Sequence, residues 1–266
     1  MCVLDEGQRG LCGIRINLKG DMYLLTYGRP CAVHIDPIEK KPAYHFLPGT
    51  KALSIATAGC CLACKYCQNW QISQAAPEDA FNYKLDPPDV IKGAARGNCK
   101  SIAYTYTEPS VFYEYMLDTA KQARKNGMYN VFVTCGFINQ KPLEELAEYI
   151  DSANVDLKAF DDETYMRLTR GHLEPVQNTI KYLYERGVIV EITNLIVPTF
   201  NDSLSEIERM CQWIAGEVSP DIPLHLSRFF PHYKLKHVPP TPVSFINEAL
   251  KCALEAGLNH VYVGNV

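Results

Sequence analysis

The chain lacks an excess of positive charge: 26 Lys and Arg stand against 30 Asp and Glu, a formal net charge of −4. Without the basic field that dominates non-specific nucleic-acid affinity, a nucleic-acid partner is unsupported. Long apolar runs are missing too. No stretch of about 18 apolar residues occurs, so no membrane partner is expected. The opening residues Met1, Cys2, Val3, Leu4, Asp5 and Glu6 do not run from basic to apolar as a secretory signal does, and the expected location is cytoplasmic. Internal repeats and low-complexity tracts are also absent, leaving no linker to split the chain. What is present is ordinary globular composition, 47% hydrophobic and 21% charged over 266 residues, enough for one α/β domain with a sizeable core. The cysteines number eleven, an odd count. In a reducing compartment a disulfide framework is not expected, so metal or redox chemistry becomes the leading account of some of them.

Segments rich in β-branched and aliphatic residues recur near 53–57, 101–105, 130–134, 153–157, 188–197, 222–227 and 260–263. Helical patterns fill 87–96, 109–126, 142–150, 174–186, 203–215 and 244–256; three open on Pro, and four run up to Gly127, Gly187, Gly216 or Gly257. This alternation means βαβ units and a parallel sheet, and the unit count suits a full or partial (β/α) TIM-type barrel within the α/β class. The first 50 residues break the rhythm, punctuated by Gly7, Gly10, Gly13, Gly20 and Gly28. They read as an irregular N-terminal extension with one hairpin around 14–26, packed on a barrel spanning 51–266.

After the first barrel strand comes Gly59, Cys60, Cys61, Leu62, Ala63, Cys64, Lys65, Tyr66, Cys67. Three thiols spaced C-x3-C-x2-C in so short a loop can turn toward one centre, and soft thiolates select iron–sulfur clusters or zinc. A [4Fe-4S] cube held by three cysteines keeps one iron open. A zinc ribbon would want a second C-x2-C, and none lies between Cys67 and Cys99. Cys31, Cys99, Cys211 and Cys252 are read as small hydrophobes, and Cys2 and Cys12 stay unassigned.

The spacing, with Tyr66 before the last cysteine and Gln68, Asn69, Trp70, Ile72, Ser73 and Gln74 after it, resembles the radical S-adenosylmethionine (SAM) superfamily. Within it the chain is similar to pyruvate formate-lyase activating enzymes, in the group associated with Memo-like proteins. The resemblance implies that Cys60, Cys64 and Cys67 hold a [4Fe-4S] cluster, with SAM chelated at the fourth iron. Reductive cleavage of SAM would give methionine and a 5′-deoxyadenosyl radical that abstracts hydrogen. Such a radical needs a dry, enclosed site, as a barrel mouth under loops provides.

A barrel places functional groups at the C-terminal ends of its strands. The run Tyr106, Thr107, Glu108, Pro109 resembles the family's Gly-Gly-Glu-Pro element for the SAM amino group; a helix cap by Thr107, with Glu108 in the first turn, is the simpler reading. Val133, Thr134, Cys135, Gly136 stands where the family carries Asp-Thr-Asn-Gly beside the ribose, matching at Thr134 and Gly136. Asp156 and Lys158 resemble the Asp-Leu-Lys element and share a strand face, so they either meet a zwitterionic ligand or pair with each other. With Val133 in place of a carboxylate, the monovalent-cation site that the resemblance implies loses an oxygen. Asp156 is then expected to pair with Lys158 or the SAM ribose, unless a neighbour such as Asn154 supplies the missing oxygen. Further along, Asn194, His225 and Arg228 are candidate cofactor contacts, Arg228 as a carboxylate fork and His225 as a hydrogen-bonding partner of SAM.

The resulting expectation is a radical SAM oxidoreductase, most like a glycyl-radical enzyme activase. It would take electrons from an external flavodoxin or ferredoxin and act on a protein such as a glycyl-radical enzyme. Residues 68–98 contain no cysteine, so a single cluster is expected. Modification of a small molecule or another macromolecule is the alternative, followed by a non-enzymatic iron–sulfur or zinc protein.

Overall fold

The computed structural model describes residues 2–266. An antiparallel hairpin of β1 (Arg15–Leu18) and β2 (Asp21–Leu24) precedes β3 (Ala32–Pro37). The barrel strands follow as β4 (Lys51–Ala56), β5 (Ser101–Tyr104), β6 (Tyr129–Thr134), β7 (Ser152–Asp156), β8 (Ile189–Ile196), β9 (Leu224–Arg228) and β10 (Val261–Gly264). These seven pair in parallel in sequence order, and β3 adds antiparallel to β4 at one edge. The two edges, β3 and β10, do not pair, so the barrel is partial.

The helices are α1 (Trp70–Ser73), α2 (Pro87–Arg96), α3 (Tyr113–Lys125), α4 (Gln140–Ala147), α5 (Asp162–Thr169), α6 (Leu173–Glu185), α7 (Leu204–Glu217) and α8 (Val243–Glu255). They bury one stripe each against the outward face of the sheet: Val90, Ile91 and Ala94 of α2, or Val176, Ile180 and Leu183 of α6, at the 3.6-residue period. Gly127, Gly187 and Gly257 end their helices at φ of 70°, 77° and 100°, the left-handed geometry that glycine enters without a Cβ penalty. Gly216 differs from expectation, because α7 continues through it to Glu217.

β3 escapes the sequence pattern because its polarity is inverted: Ile35 is 48% exposed while Asp36 is 5% exposed. Asp36 is tolerated there because Lys41 Nζ (2.6 Å), Lys40 Nζ (2.9 Å), Ser54 Oγ (2.9 Å) and the Tyr106 hydroxyl all donate to it. Burial alone would raise its pKa, but the hydrogen bonds from Lys41, Tyr106 and Lys40 together hold the carboxyl well below the usual range.

The segment after β3 crosses the inside of the barrel. Ile38, Ala43 and Phe46 pack on Ala52 of β4, Ala103 of β5 and Val131 of β6. Asn154 of β7 donates to the Pro42 carbonyl at 2.9 Å, and the His45 amide donates to Glu191 of β8 at 2.9 Å. Tyr44 meets the His225 ring of β9 at 4.7 Å, and His45 Nε2 lies 2.7 Å from the Tyr262 hydroxyl of β10. One short segment thus touches the inward face of all seven parallel strands near their N-terminal ends. It plugs that end and leaves the C-terminal face for chemistry.

Candidate active site

The cysteine loop leaves the C-terminal end of β4 through Gly59, at φ 90°. A Cβ there would run into the Cys12 carbonyl and the Ile14 side chain, so the N-terminal extension forms one wall of the turn. On its other side the loop is held by α5: Ala63 N donates to Thr169 O (2.8 Å) and Lys65 N to Leu168 O (3.0 Å). Gln74 Nε2 bonds the Leu62 carbonyl at 3.0 Å and closes the loop from beneath. These restraints fix the sulfurs. Cys60 Sγ accepts from the Leu62 amide at 3.4 Å, and Cys67 Sγ lies 3.2 Å from Ser73 Oγ.

The three thiols of the motif share a field. Burial pushes Cys64 up, helped by the charges of Cys60 and Cys67, while the Lys158 ammonium acts in the opposite direction on all three. The adjoining Cys61 thiol holds Cys60 below its ordinary value. Cys61 itself is raised well above its own, by Cys135 and by Cys60. Cys135, buried at the end of β6, is pushed up to about 12 by burial. Cys61 thus lies between Cys60 and the strand-end thiol Cys135, and the Lys158 ammonium acts on Cys60, Cys64, Cys67 and Cys135 alike.

The neighbouring strand ends are tied together across the mouth. Glu108 is 2% exposed; its carboxylate accepts from Thr134 Oγ1 (2.7 Å), the Cys135 amide (2.7 Å) and the Ser110 amide (3.0 Å). It therefore caps the short 3-10 turn Pro109–Phe112 itself. Thr107 does not cap that turn; its hydroxyl donates to the Thr57 carbonyl at 2.9 Å, binding the end of β5 to that of β4. Tyr106 between them sits at φ 66°, strained for a non-glycine residue, with its carbonyl held by Asn69 Nδ2 at 2.8 Å. Such strain persists only where the surroundings over-determine it, and here it lies beside the cysteine loop.

Lys158 Nζ pairs with Asp156 Oδ2 at 2.8 Å, one of the two arrangements the sequence left open. Asn154 Oδ1 accepts from Thr193 Oγ1 at 3.0 Å and its amide donates to the Pro42 carbonyl, which ties this side chain to the barrel interior. Tyr66 is buried with its hydroxyl unpartnered, and its ring centroid lies 5.9 Å from Lys158 Nζ. Other candidates are placed elsewhere. Asn194 lines the helix-facing side of β8 with Ile207 and Met210 of α7, donating to the Leu157 carbonyl at 2.6 Å. His225 Nε2 lies 2.7 Å from Glu191 Oε2 inside the barrel. Arg228 spends its Nε on the Thr241 carbonyl at 2.7 Å and stacks over Phe230, leaving its terminal nitrogens as donors. A cleft of about 430 Å³ between α7 and α8, lined by Leu204, Glu208, Cys252 and Glu255 among others, belongs to the outer helices and not to this mouth.

Two contributors escaped the sequence reading. One is α5, whose signal was Asp161 accepting from the Thr164 amide ahead of an acidic first turn. The other is Cys135, conspicuous only once the fold sets it against Cys61.

The donor set fits an iron–sulfur cluster. Three thiols sit in one loop, and the amide N–H to Cys60 Sγ and the nearby Lys158 ammonium act toward the thiolate form, against the burial that raises Cys64 and Cys67.

A partial parallel barrel with a cysteine loop after its first parallel strand defines an α/β barrel enzyme with its site at the C-terminal face. The chain belongs to the radical SAM superfamily, whose family model matches residues 54–214. The family uses a [4Fe-4S] cluster and SAM. An uncharacterised protein of Methanocaldococcus jannaschii is 44% identical over 265 residues, 100% of this chain and 79% of that one. The pyruvate formate-lyase-activating enzyme of Clostridium pasteurianum is 25% identical over 173 residues, 63% of this chain and 70% of the relative. A solved domain of the pyruvate-formate lyase-activating enzyme from Bacteroides vulgatus superposes with a TM-score of 0.55 at 15% identity, covering 62% of this chain and 99% of that one. This last likeness is one of fold.

Proposed function

We propose that this radical SAM enzyme acts as an activase, abstracting hydrogen from a protein partner such as a glycyl-radical enzyme. The observation that carries the reading is the loop of Cys60, Cys64 and Cys67 under the field of Lys158, in a chain whose relatives include a pyruvate formate-lyase-activating enzyme. When bound, the cluster and SAM supply one-electron cleavage of the sulfonium and a hydrogen-abstracting radical. The protein's own part is to hold and dry that site. Cys60, Cys64 and Cys67 are the ligands, and Tyr66 covers the loop. The strained backbone at Tyr106 and the following Thr107, braced by Glu108 and Pro109, presents carbonyls to the SAM amino group. Thr134 borders the ribose, the Asp156–Lys158 pair faces the zwitterionic end, and Arg228 offers its terminal nitrogens to a carboxylate. His225 and Asn194 support the barrel walls behind them. The electron comes from an external flavodoxin or ferredoxin, and the eleven unpaired thiols suit a reducing, cytoplasmic setting.

The test is isotopic. Anaerobically reconstituted enzyme is incubated with SAM, reductant and separated protein and small-molecule fractions of deuterium-labelled cells. Deuterium in 5′-deoxyadenosine from the protein fraction is the expected result; transfer from the small-molecule fraction alone overturns the activase reading.

A further inference from the structure

Around the cysteine loop the local charge opposes that of the whole chain, which is −4. Lys65, inside the loop, and Arg167 of α5 converge on the ring of Phe200, at 5.7 and 4.9 Å from its centroid. Arg170 ends α5 next to Thr169, whose carbonyl holds the loop. From the other side Lys234 donates its amide to the Lys65 carbonyl at 3.0 Å, and the preceding Tyr233 stacks on Trp70 at 5.1 Å with an interplanar angle of 10°. These contacts make one continuous surface, with Arg167, Arg170 and Lys234 exposed and Trp70 38% exposed. None of the four cations has a carboxylate at ion-pair distance among the described residues, whereas Arg9, Arg15, Lys121 and Lys181 elsewhere are each tied to a glutamate. Of the acids at the start of α5, Asp161 caps the helix and Asp162 pairs with His172, while the exposed Glu163 lies one turn, about 6 Å along the helix, before Arg167 and outside ion-pair distance of it.

We propose that this basic, aromatic-studded face docks a small acidic one-electron carrier protein and admits its electron to the cysteine loop. The proposal rests on the reading of that loop as a reducible cluster. In the step, the carrier is oxidised by one electron and the cluster is reduced by one; no atom or proton is transferred. Four unpaired cations on a net-negative chain favour a compact acidic partner. They attract and orient it, while a long polyanion such as RNA would be repelled beyond the patch. The stacked pair, with Trp70 exposed and Tyr233 half-buried behind it, supplies apolar contact at the centre, where charge alone gives orientation more than affinity.

The test uses reconstituted enzyme and an acidic flavodoxin, and compares wild type with Arg167→Glu/Lys234→Glu and with a remote control, Lys125→Glu/Lys141→Glu, that changes net charge equally. Flavodoxin Kd is measured by flavin fluorescence at low and high salt, and cluster bleaching is timed with reduced flavodoxin and with dithionite. The patch variant should bind about tenfold more weakly at low salt, with the difference shrinking at high salt, and lose flavodoxin-driven reduction in proportion. Dithionite reduction and the control should be unchanged. Equal loss in the control, no loss in the patch variant, or impaired affinity for single-stranded RNA with flavodoxin binding intact would each overturn the proposal. Arg170→Ser, scored the same way, replaces the double variant if that fails to fold. Failure of the function reading would appear separately, as absent SAM cleavage with dithionite in the wild type, and leaves the Kd comparison to judge the docking face.

Discussion

Asp36→Asn should destabilise the protein more than Lys41→Met, although both break one buried ion pair. Lys41 is 1% exposed, and its ammonium has Asp36 at 2.6 Å as its only anion; the Tyr106 hydroxyl at 3.4 Å is a weak substitute. Removing the carboxylate leaves a buried cation uncompensated, toward the upper end of the range for such losses, about 5 kcal/mol. Removing Lys41 leaves Asp36 with Lys40, Ser54 and Tyr106 still donating, so the loss falls toward the lower end, about 3 kcal/mol. In a chain of this size the first corresponds to a Tm drop of about 10 °C or more. The double variant Asp36→Asn/Lys41→Met should recover about 2 kcal/mol relative to additivity, because neither charge is then orphaned.

The pH dependence carries its own sign. Asp36 is depressed in the folded state, so its contribution is complete above the unfolded carboxylate value of about 4 and is lost as pH falls through the folded one. The gap between wild type and Asp36→Asn should therefore close in acid. Burial lowers the Lys41 ammonium, partly offset by Asp36; without that carboxylate the amine deprotonates more readily, so the deficit also narrows as pH rises. Urea titrations from pH 3 to 10 read the onset of the first change and the whole of the second. Equal losses for the two single variants, or strict additivity in the double, would refute the reasoning.

Gly59→Ala should lower stability by about 3 kcal/mol, from the left-handed backbone and the Cys12 and Ile14 clash together, with reduced iron uptake in reconstitution; a wild-type melt would count against the turn's role. Cys60→Ala should lose cluster iron while Cys61→Ala keeps it, because the C-x3-C-x2-C spacing of the family makes Cys60 the first ligand; the reverse pattern in iron and sulfide analysis contradicts the register. Burial keeps Cys64 and Cys67 protonated near neutrality, so cluster assembly must release their protons and iron loading should rise with pH. Proton release followed with a pH-stat during reconstitution checks this, and pH-independent loading would sink it.

All seven parallel strands were legible because each is an apolar run bounded by helix signals, and the cysteine loop because spacing alone defines it. The plug was not. Asp36 and Lys41 look like surface residues until the fold sets them against each other, and inverted polarity hid β3. Asn194 and His225 were candidates by position at strand ends, but one strand face turns to the helices and the depth of the barrel belongs to Glu191. Position along a strand did not reveal which groups were already partnered. The Asp156–Lys158 pair was half legible: alternation suggested one face and left pairing or ligand contact open, and because β7 ends at Asp156 the pairing is set by the loop that follows.

The most direct measurement is anaerobic. Protein reconstituted with iron and sulfide is mixed with SAM and dithionite, and 5′-deoxyadenosine is quantified by chromatography against bound iron. The account predicts product that scales with iron and disappears in Cys60→Ala, Cys64→Ala and Cys67→Ala. Tightly bound zinc in place of iron, with no 5′-deoxyadenosine formed, would contradict it.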